Sequence, residues 1–141
     1  MKKLLLFFLG VTLIGFAAGR PLAADEPSNN KVVTYYFHGT FRCPTCTNME
    51  KYAREAIEVN FKDALASGSL EFKTVNVEEP GNEHFAGDYQ LYTKSLVLSL
   101  VKNGKEVRWR NLEKIWEYSG NKQKFMAYIV KELNKFLKET Q

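Results

Sequence analysis

The sequence predicts an α/β domain in which helices flank a four-stranded mixed sheet, in the order β-α-β-α-β-β-α. Three observations carry this. The run VVTYYF, Val32 to Phe37, is apolar at nearly every position, as a strand covered on both faces must be. A second strand-like run, LEFKTVNV from Leu70 to Val77, follows after enough chain for a crossover helix. The last two strand-like runs are separated by KNGK, whose Asn103-Gly104 pair is the strongest short hairpin signal.

The N-terminus is set apart first. MKK precedes an almost unbroken apolar segment, Leu4 to Ala18, and small residues follow in FAAG and PLAA. This is the layout of a secretory signal peptide, expected over residues 1–24, with cleavage after Ala24 or Gly19. An uncleaved N-terminal anchor is the alternative and would then be the only membrane contact, although the run is shorter than the roughly 20 residues of a spanning helix. DEPSNN, residues 25–30, reads as a linker, and residues 31–141 as the folded domain. The expected location is periplasmic or secreted, with anchoring to an inner membrane as the variant, and there a disulfide persists. The chain carries +4; without Lys2, Lys3 and Arg20 it has 17 basic and 16 acidic residues, or +1. No clustered basic face remains, which argues against nucleic acid.

Each element has a local reason. His38, Gly39 and Thr40 end the first strand. Pro44 suits the first turn of a helix, where a missing N–H costs nothing. Met49, Tyr52, Ala53, Ala56 and Ile57 recur at helical spacing, and the pattern fades near Asn60, before the Ala66-Ser67-Gly68 loop. EEPGN, Glu78 to Asn82, is a turn, and Glu83 to Leu91 makes a short helix. Leu96 to Val101 and Glu106 to Arg110 are the antiparallel strands, and Leu112 to Tyr118 is a short helical turn. Lys122 to Lys138 is an amphipathic helix with Phe125, Met126, Ile129, Val130, Leu133, Phe136 and Leu137 on one face. Trp109 and Trp116 are core or rim residues. Arg108 and Arg110 alternate on the last strand, the arrangement that protects a sheet edge from pairing.

The chemistry sits in FRCPTC, Phe41 to Cys46, which contains both cysteines. A helix N-terminus presents unpaired N–H groups and partial positive charge, which favour a thiolate over a thiol. Cys43 at that end is expected to be exposed and nucleophilic. Cys46, one turn in, is expected to be more buried and to resolve a mixed disulfide. A passive staple would constrain little of the unfolded chain over so short a loop. A zinc clip needs four ligands; one C-x-x-C supplies two, and only His38 and His84 can add to them within the chain. A Cu(I) site using Cys43, Cys46 and the Met49 thioether stays open as an alternative, with core packing as the other role for Met49. Arg42 is expected to lower the Cys43 pKa. His38 can carry protons or cap the strand end. Phe41 is placed to cover the pair, and Thr45 lies between its cysteines. The chain has no G-x-G-x-x-G and no phosphate loop, so no nucleotide or flavin cofactor is expected; the redox group is the disulfide itself.

Over residues 31–140 this arrangement resembles the thioredoxin fold, on the strand–C-x-x-C–helix unit, on VNVEEPGNEHFAGDYQL and on LVLSLVKNGKEV. More narrowly, YYFHGTFRCPTC with DYQLYTKS and VRWRNLEKIW resembles a bacterial thioredoxin-like family described as a nitrophenyl compound nitroreductase subunit and associated with arsenic-resistance gene clusters. The resemblance implies a thiol–disulfide oxidoreductase that exchanges electrons with a protein partner, a membrane electron-relay protein among the candidates. A metal-handling domain and a non-catalytic adaptor are the competing readings. Two departures matter. Thioredoxins carry a cis-proline before the third strand, which helps hold the partner's backbone; here the place reads Tyr92-Thr93-Lys94-Ser95, and a trans peptide is expected. Thioredoxins also bury an acidic residue beneath the resolving cysteine. VVTYYF has none, which leaves His38, Glu50 or water as the proton acceptor.

Overall fold

In the computed structural model, residues 29–140 are described. The expected signal peptide and most of the linker lie outside them. The strands are β1 (Lys31–His38), β2 (Leu70–Asn76), β3 (Ser95–Lys102) and β4 (Lys105–Asn111). The helices are α1 (Pro44–Asn60), α2 (Lys62–Ala66), α3 (His84–Asp88) and α4 (Lys122–Leu137), with a 3-10 turn over Glu113–Ile115. The sheet order is β2-β1-β3-β4. β1 pairs parallel with β2 and antiparallel with β3, and β3 pairs antiparallel with β4. The fold is the thioredoxin-like α/β arrangement that the sequence predicts.

β1 is central, so its two faces feed two cores. Val32 and Tyr36 point into the main core, with Met49, Ala53 and Ile57 of α1 and Phe125, Ile129 and Leu133 of α4. Phe37, with Tyr35 packed beside it, points to the opposite face, into a smaller aromatic cluster with Tyr89, Val97 and Phe85. Burial of VVTYYF, complete but for the half-buried Tyr35, follows from a strand with neighbours on both edges and layers on both faces. In the hairpin, Asn103 and Gly104 both have positive φ (52° and 76°), as a type I′ turn requires.

Three local departures have visible causes. The helical chain breaks at Phe61, whose side chain turns into the main core, and restarts as α2, beyond the expected end near Asn60. α3 is shorter than the expected Glu83 to Leu91, and Gln90 just beyond it takes positive φ (51°). Arg108 and Arg110 do more than guard the β4 edge. Arg108 stacks on Phe136 at 4.3 Å and pairs with Glu139, while Arg110 reaches the buried Glu132 at 2.9 Å. Lys135 also donates to Glu132, at 2.8 Å. A buried carboxylate is tolerable when charged donors satisfy it, so the arginines fasten β4 to α4. Trp109 points the other way and meets Tyr89 edge-on at 5.4 Å.

Truncating Phe125, which has no exposed surface, should open a cavity between α4 and the sheet. Phe125→Ala is expected to cost about 3–5 kcal/mol, read as a shift in the urea midpoint at unchanged m-value.

Candidate dithiol site at the start of helix α1

The site forms where β1 ends and α1 begins. Cys43 is the N-cap of α1, with extended backbone (φ −78°, ψ 157°), and Pro44 occupies the first turn as expected. The Cys46 backbone N–H donates to Cys43 Sγ at 3.1 Å, so the sulfur does the capping work usually done by an oxygen. No acidic residue stands in the first turn, so no carboxylate there competes with a thiolate for the helix N–H groups.

The two sulfurs are joined in a disulfide, with Cα atoms 5.1 Å apart. Cys43 is half-buried, less open than the sequence suggested, and Cys46 is buried. This asymmetry suits attack at Cys43 and resolution by Cys46. Thr45, between them, is exposed and makes no side-chain hydrogen bond among the described residues. Phe41 is 76% exposed, so it is not packing in either core; it projects from the loop just before the pair.

Beneath the pair lies a residue that the sequence reading passed over. Tyr36 is fully buried, and its hydroxyl donates to the Cys46 carbonyl at 2.6 Å. Strand alternation places Tyr36 under α1, in the strand VVTYYF that carries no buried acid. Burial pushes its pKa up to about 12, Arg42 pulling down and Glu50 pushing up. It is therefore a neutral donor at ordinary pH. The tell-tale in the sequence was parity: Tyr36 shares a face with Val32.

Arg42 does not stand free beside Cys43. Its guanidinium is bound to Glu50. Glu50 also accepts from Thr74 Oγ1 at 3.2 Å and from Arg54 at 3.5 Å. Burial works against the Glu50 carboxylate, but Arg42, Thr74 and Arg54 outweigh it and hold its pKa below the ordinary 4.5. Glu50 is thus an ionised partner of arginine, which makes it a poor proton acceptor for Cys46.

Met49 has no exposed surface and belongs to the main core, so it is withdrawn from the Cu(I) ligand set. Among the described residues no group of three or more His, Cys, Asp or Glu converges on a metal position. His84 lies on α3, paired with Asp88 at 2.8 Å.

His38 caps the strand end: its Nδ1 lies 2.8 Å from the Gly39 carbonyl. It lines a cavity of about 200 Å³ together with Glu78, Tyr92, Thr93 and Lys94. Glu78 accepts from the Thr40 N–H at 2.9 Å. A Cβ on Gly39 would stand 2.3 Å from the Glu78 carboxylate, so a larger residue there requires that side chain to move. The register that pairs Phe37 with Ser95 brings the Tyr92–Ser95 loop beside this strand end. No cis peptide occurs among the described residues, as expected for a loop without proline. Two of the loop's carbonyls are taken internally. Ser95 Oγ donates to Thr93 O at 2.9 Å, and Trp116 Nε1 donates to Lys94 O at 2.9 Å. Tyr92 is 95% exposed.

No family model and no curated protein matches the chain. Among solved structures it is similar to Fasciola hepatica thioredoxin, at 20% identity over 72% of this chain and 80% of that one, TM-score 0.41. It is also similar to oxidized mitochondrial thioredoxin 3 from Saccharomyces cerevisiae, at 18% identity over 67% and 80%, TM-score 0.40. A thioredoxin from Thermus thermophilus matches at 20% identity over 64% and 72%, TM-score 0.38. Superpositions at this level carry no weight for function. The fold rests on the strand order, the pairing directions and the placement of the cysteines described above.

Two measurements check these assignments. Because Met49 is packing, Met49→Leu should cost under about 1.5 kcal/mol and leave thiol exchange unchanged, while Met49→Ala should cost about 2–5 kcal/mol. Because the folded state depresses the Glu50 pKa, its contribution to stability is present above the unfolded value and is lost as pH falls through the folded one. The stability gap between the wild type and Glu50→Gln should therefore close as pH is lowered from about 5 into the acid range.

Proposed function

We propose that the chain is a thiol–disulfide oxidoreductase in which Cys43 is the nucleophile and Cys46 the resolving residue. One observation carries this: a bonded C-x-x-C pair at a helix N-cap, with the leading sulfur half-buried and the second one buried. In the dithiol form the Cys43 thiolate attacks a partner disulfide, forming a mixed disulfide and releasing one partner thiol. Cys46 then attacks Cys43 Sγ, closing the internal disulfide and releasing the second thiol. The two electrons leave the protein pair and reduce the partner.

The partner in this reading is a protein thiol or disulfide. The signal-like residues 1–24 support an extracytoplasmic place of action, a bacterial periplasm above all. There the dithiol needs electrons carried across the membrane, and a membrane relay protein is the expected donor. No helix among the described residues is long and apolar enough to cross a membrane. The narrower resemblance supports a role as the electron-delivering member of a reductive system for aromatic nitro compounds or arsenicals. The nitro-reducing step requires a flavin-type cofactor, which that reading assigns to another subunit.

The test is trapping. Cys46→Ala should accumulate a mixed disulfide with a partner, seen as a dithiothreitol-sensitive band, and Cys43→Ala should accumulate none. A protein whose disulfide exchanges with neither glutathione nor a dithiol donor would sink the proposal and leave the adaptor reading.

A further inference from the structure

Arg42 is unusual in how its donors are used. Its Nη2 is bound to Glu50, yet its Nε is buried and has no hydrogen-bond partner among the described residues. It directly precedes Cys43. Buried donors are rarely left unpaired, and each such case asks what state of the molecule would pair it. In the disulfide form, neither sulfur carries a charge. Opening that disulfide creates a thiolate at Cys43, on the residue next to the idle N–H.

We propose that Arg42 and Glu50 form a redox-linked ion-pair exchange that tunes the dithiol: Glu50 holds Arg42 while the disulfide is closed, and Arg42 turns its guanidinium to the Cys43 thiolate when it opens. This rests on the assignment of Cys43 as the exchanging sulfur. It makes Glu50, which never touches the sulfurs, a positioning residue that acts through Arg42.

The surroundings fit an exchange. Glu50 faces two guanidiniums, so the cluster of Arg42, Arg54 and Glu50 carries a surplus positive charge. Arg54 is anchored independently: it lies 4.8 Å over the Phe72 ring and donates to Thr74 Oγ1 at 3.3 Å. Thr74 in turn donates to Glu50. When Arg42 leaves, Arg54 and Thr74 keep the Glu50 carboxylate partnered. The groups facing the cluster are Tyr36 from β1, Thr74 from β2, Arg54 from α1 and Arg42 from the preceding loop. Of these only the arginines are cationic, and only Arg42 has a buried donor without a partner. On opening, a dithiol donor supplies two electrons and two protons and itself becomes a disulfide. One proton stays on Cys46 and the other goes to solvent, leaving Cys43 as the thiolate that Arg42 meets.

The experiment is a double-mutant cycle on the full chain, with Arg42→Met, Glu50→Gln and the pair together, far-UV circular dichroism confirming the fold of each. Two quantities are read: the pH midpoint of Cys43 alkylation in the reduced protein, and the disulfide equilibrium against glutathione. Glu50→Gln frees Arg42, so the midpoint should fall and the equilibrium should move toward the dithiol by about threefold to tenfold, up to ~30 mV for a two-electron couple. Arg42→Met should move both the other way. In the Arg42→Met background, Glu50→Gln should lose most of its effect. An undiminished Glu50→Gln effect in that background, or an Arg42→Met variant with an unmoved midpoint, overturns the inference. Absence of exchange with both glutathione and a dithiol donor in the wild type would instead overturn the oxidoreductase reading, and the alkylation midpoints would still decide the ion-pair exchange.

Discussion

The hydrogen bond from Tyr36 to the Cys46 carbonyl is the contact on which the site's geometry depends. It joins the centre of the sheet to the first turn of α1 at 2.6 Å, inside the core. A helix packed on a sheet by apolar contacts alone can slide by fractions of a residue, because hydrophobic burial is not directional. A buried hydroxyl with a single acceptor cannot, because a shift would leave that hydroxyl unpaired in a low-dielectric interior. With that turn held, Cys43 falls at the N-cap and its sulfur meets the Cys46 N–H.

The charges around the pair form a second layer built on the same turn. Glu50 lies one helical turn beyond Cys46, and it gathers Arg42, Arg54 and Thr74 around one carboxylate. A bare cation beside Cys43 would hold the thiolate strongly and favour the reduced form. An arginine shared with a carboxylate does so less, so the oxidising power of the pair depends on where Arg42 spends its time. The same logic recurs at the far edge of the sheet, where Glu132 is buried and answered by Arg110 and Lys135. There the network attaches β4 to α4; at Glu50 it gathers at the start of α1.

The loop before β3 carries no proline. The Thr93 and Lys94 carbonyls face internal donors, Ser95 Oγ and the Trp116 indole. Phe41, Tyr92 and Trp116 are the large exposed aromatics among the described residues. Thus Trp116, expected as a core or rim residue, links the end of the 3-10 segment to the Tyr92–Ser95 loop.

Much of this was legible in the sequence, for physical reasons. Periodicity and turn chemistry are local, so VVTYYF, the Asn103-Gly104 hairpin and the apolar face of α4 announced themselves, and with them the thiolate-favouring start of α1. What a side chain does across space is not local. That Tyr36 reaches Cys46, that Glu50 claims Arg42, that Met49 is core rather than ligand, and that Arg108 and Arg110 clasp α4 are outcomes of how elements pack. The residue types and their order determined that there is a dithiol at a helix start. Only the tertiary structure decided which neighbours tune it, because charge pairing and burial are set by distances between segments far apart in the chain.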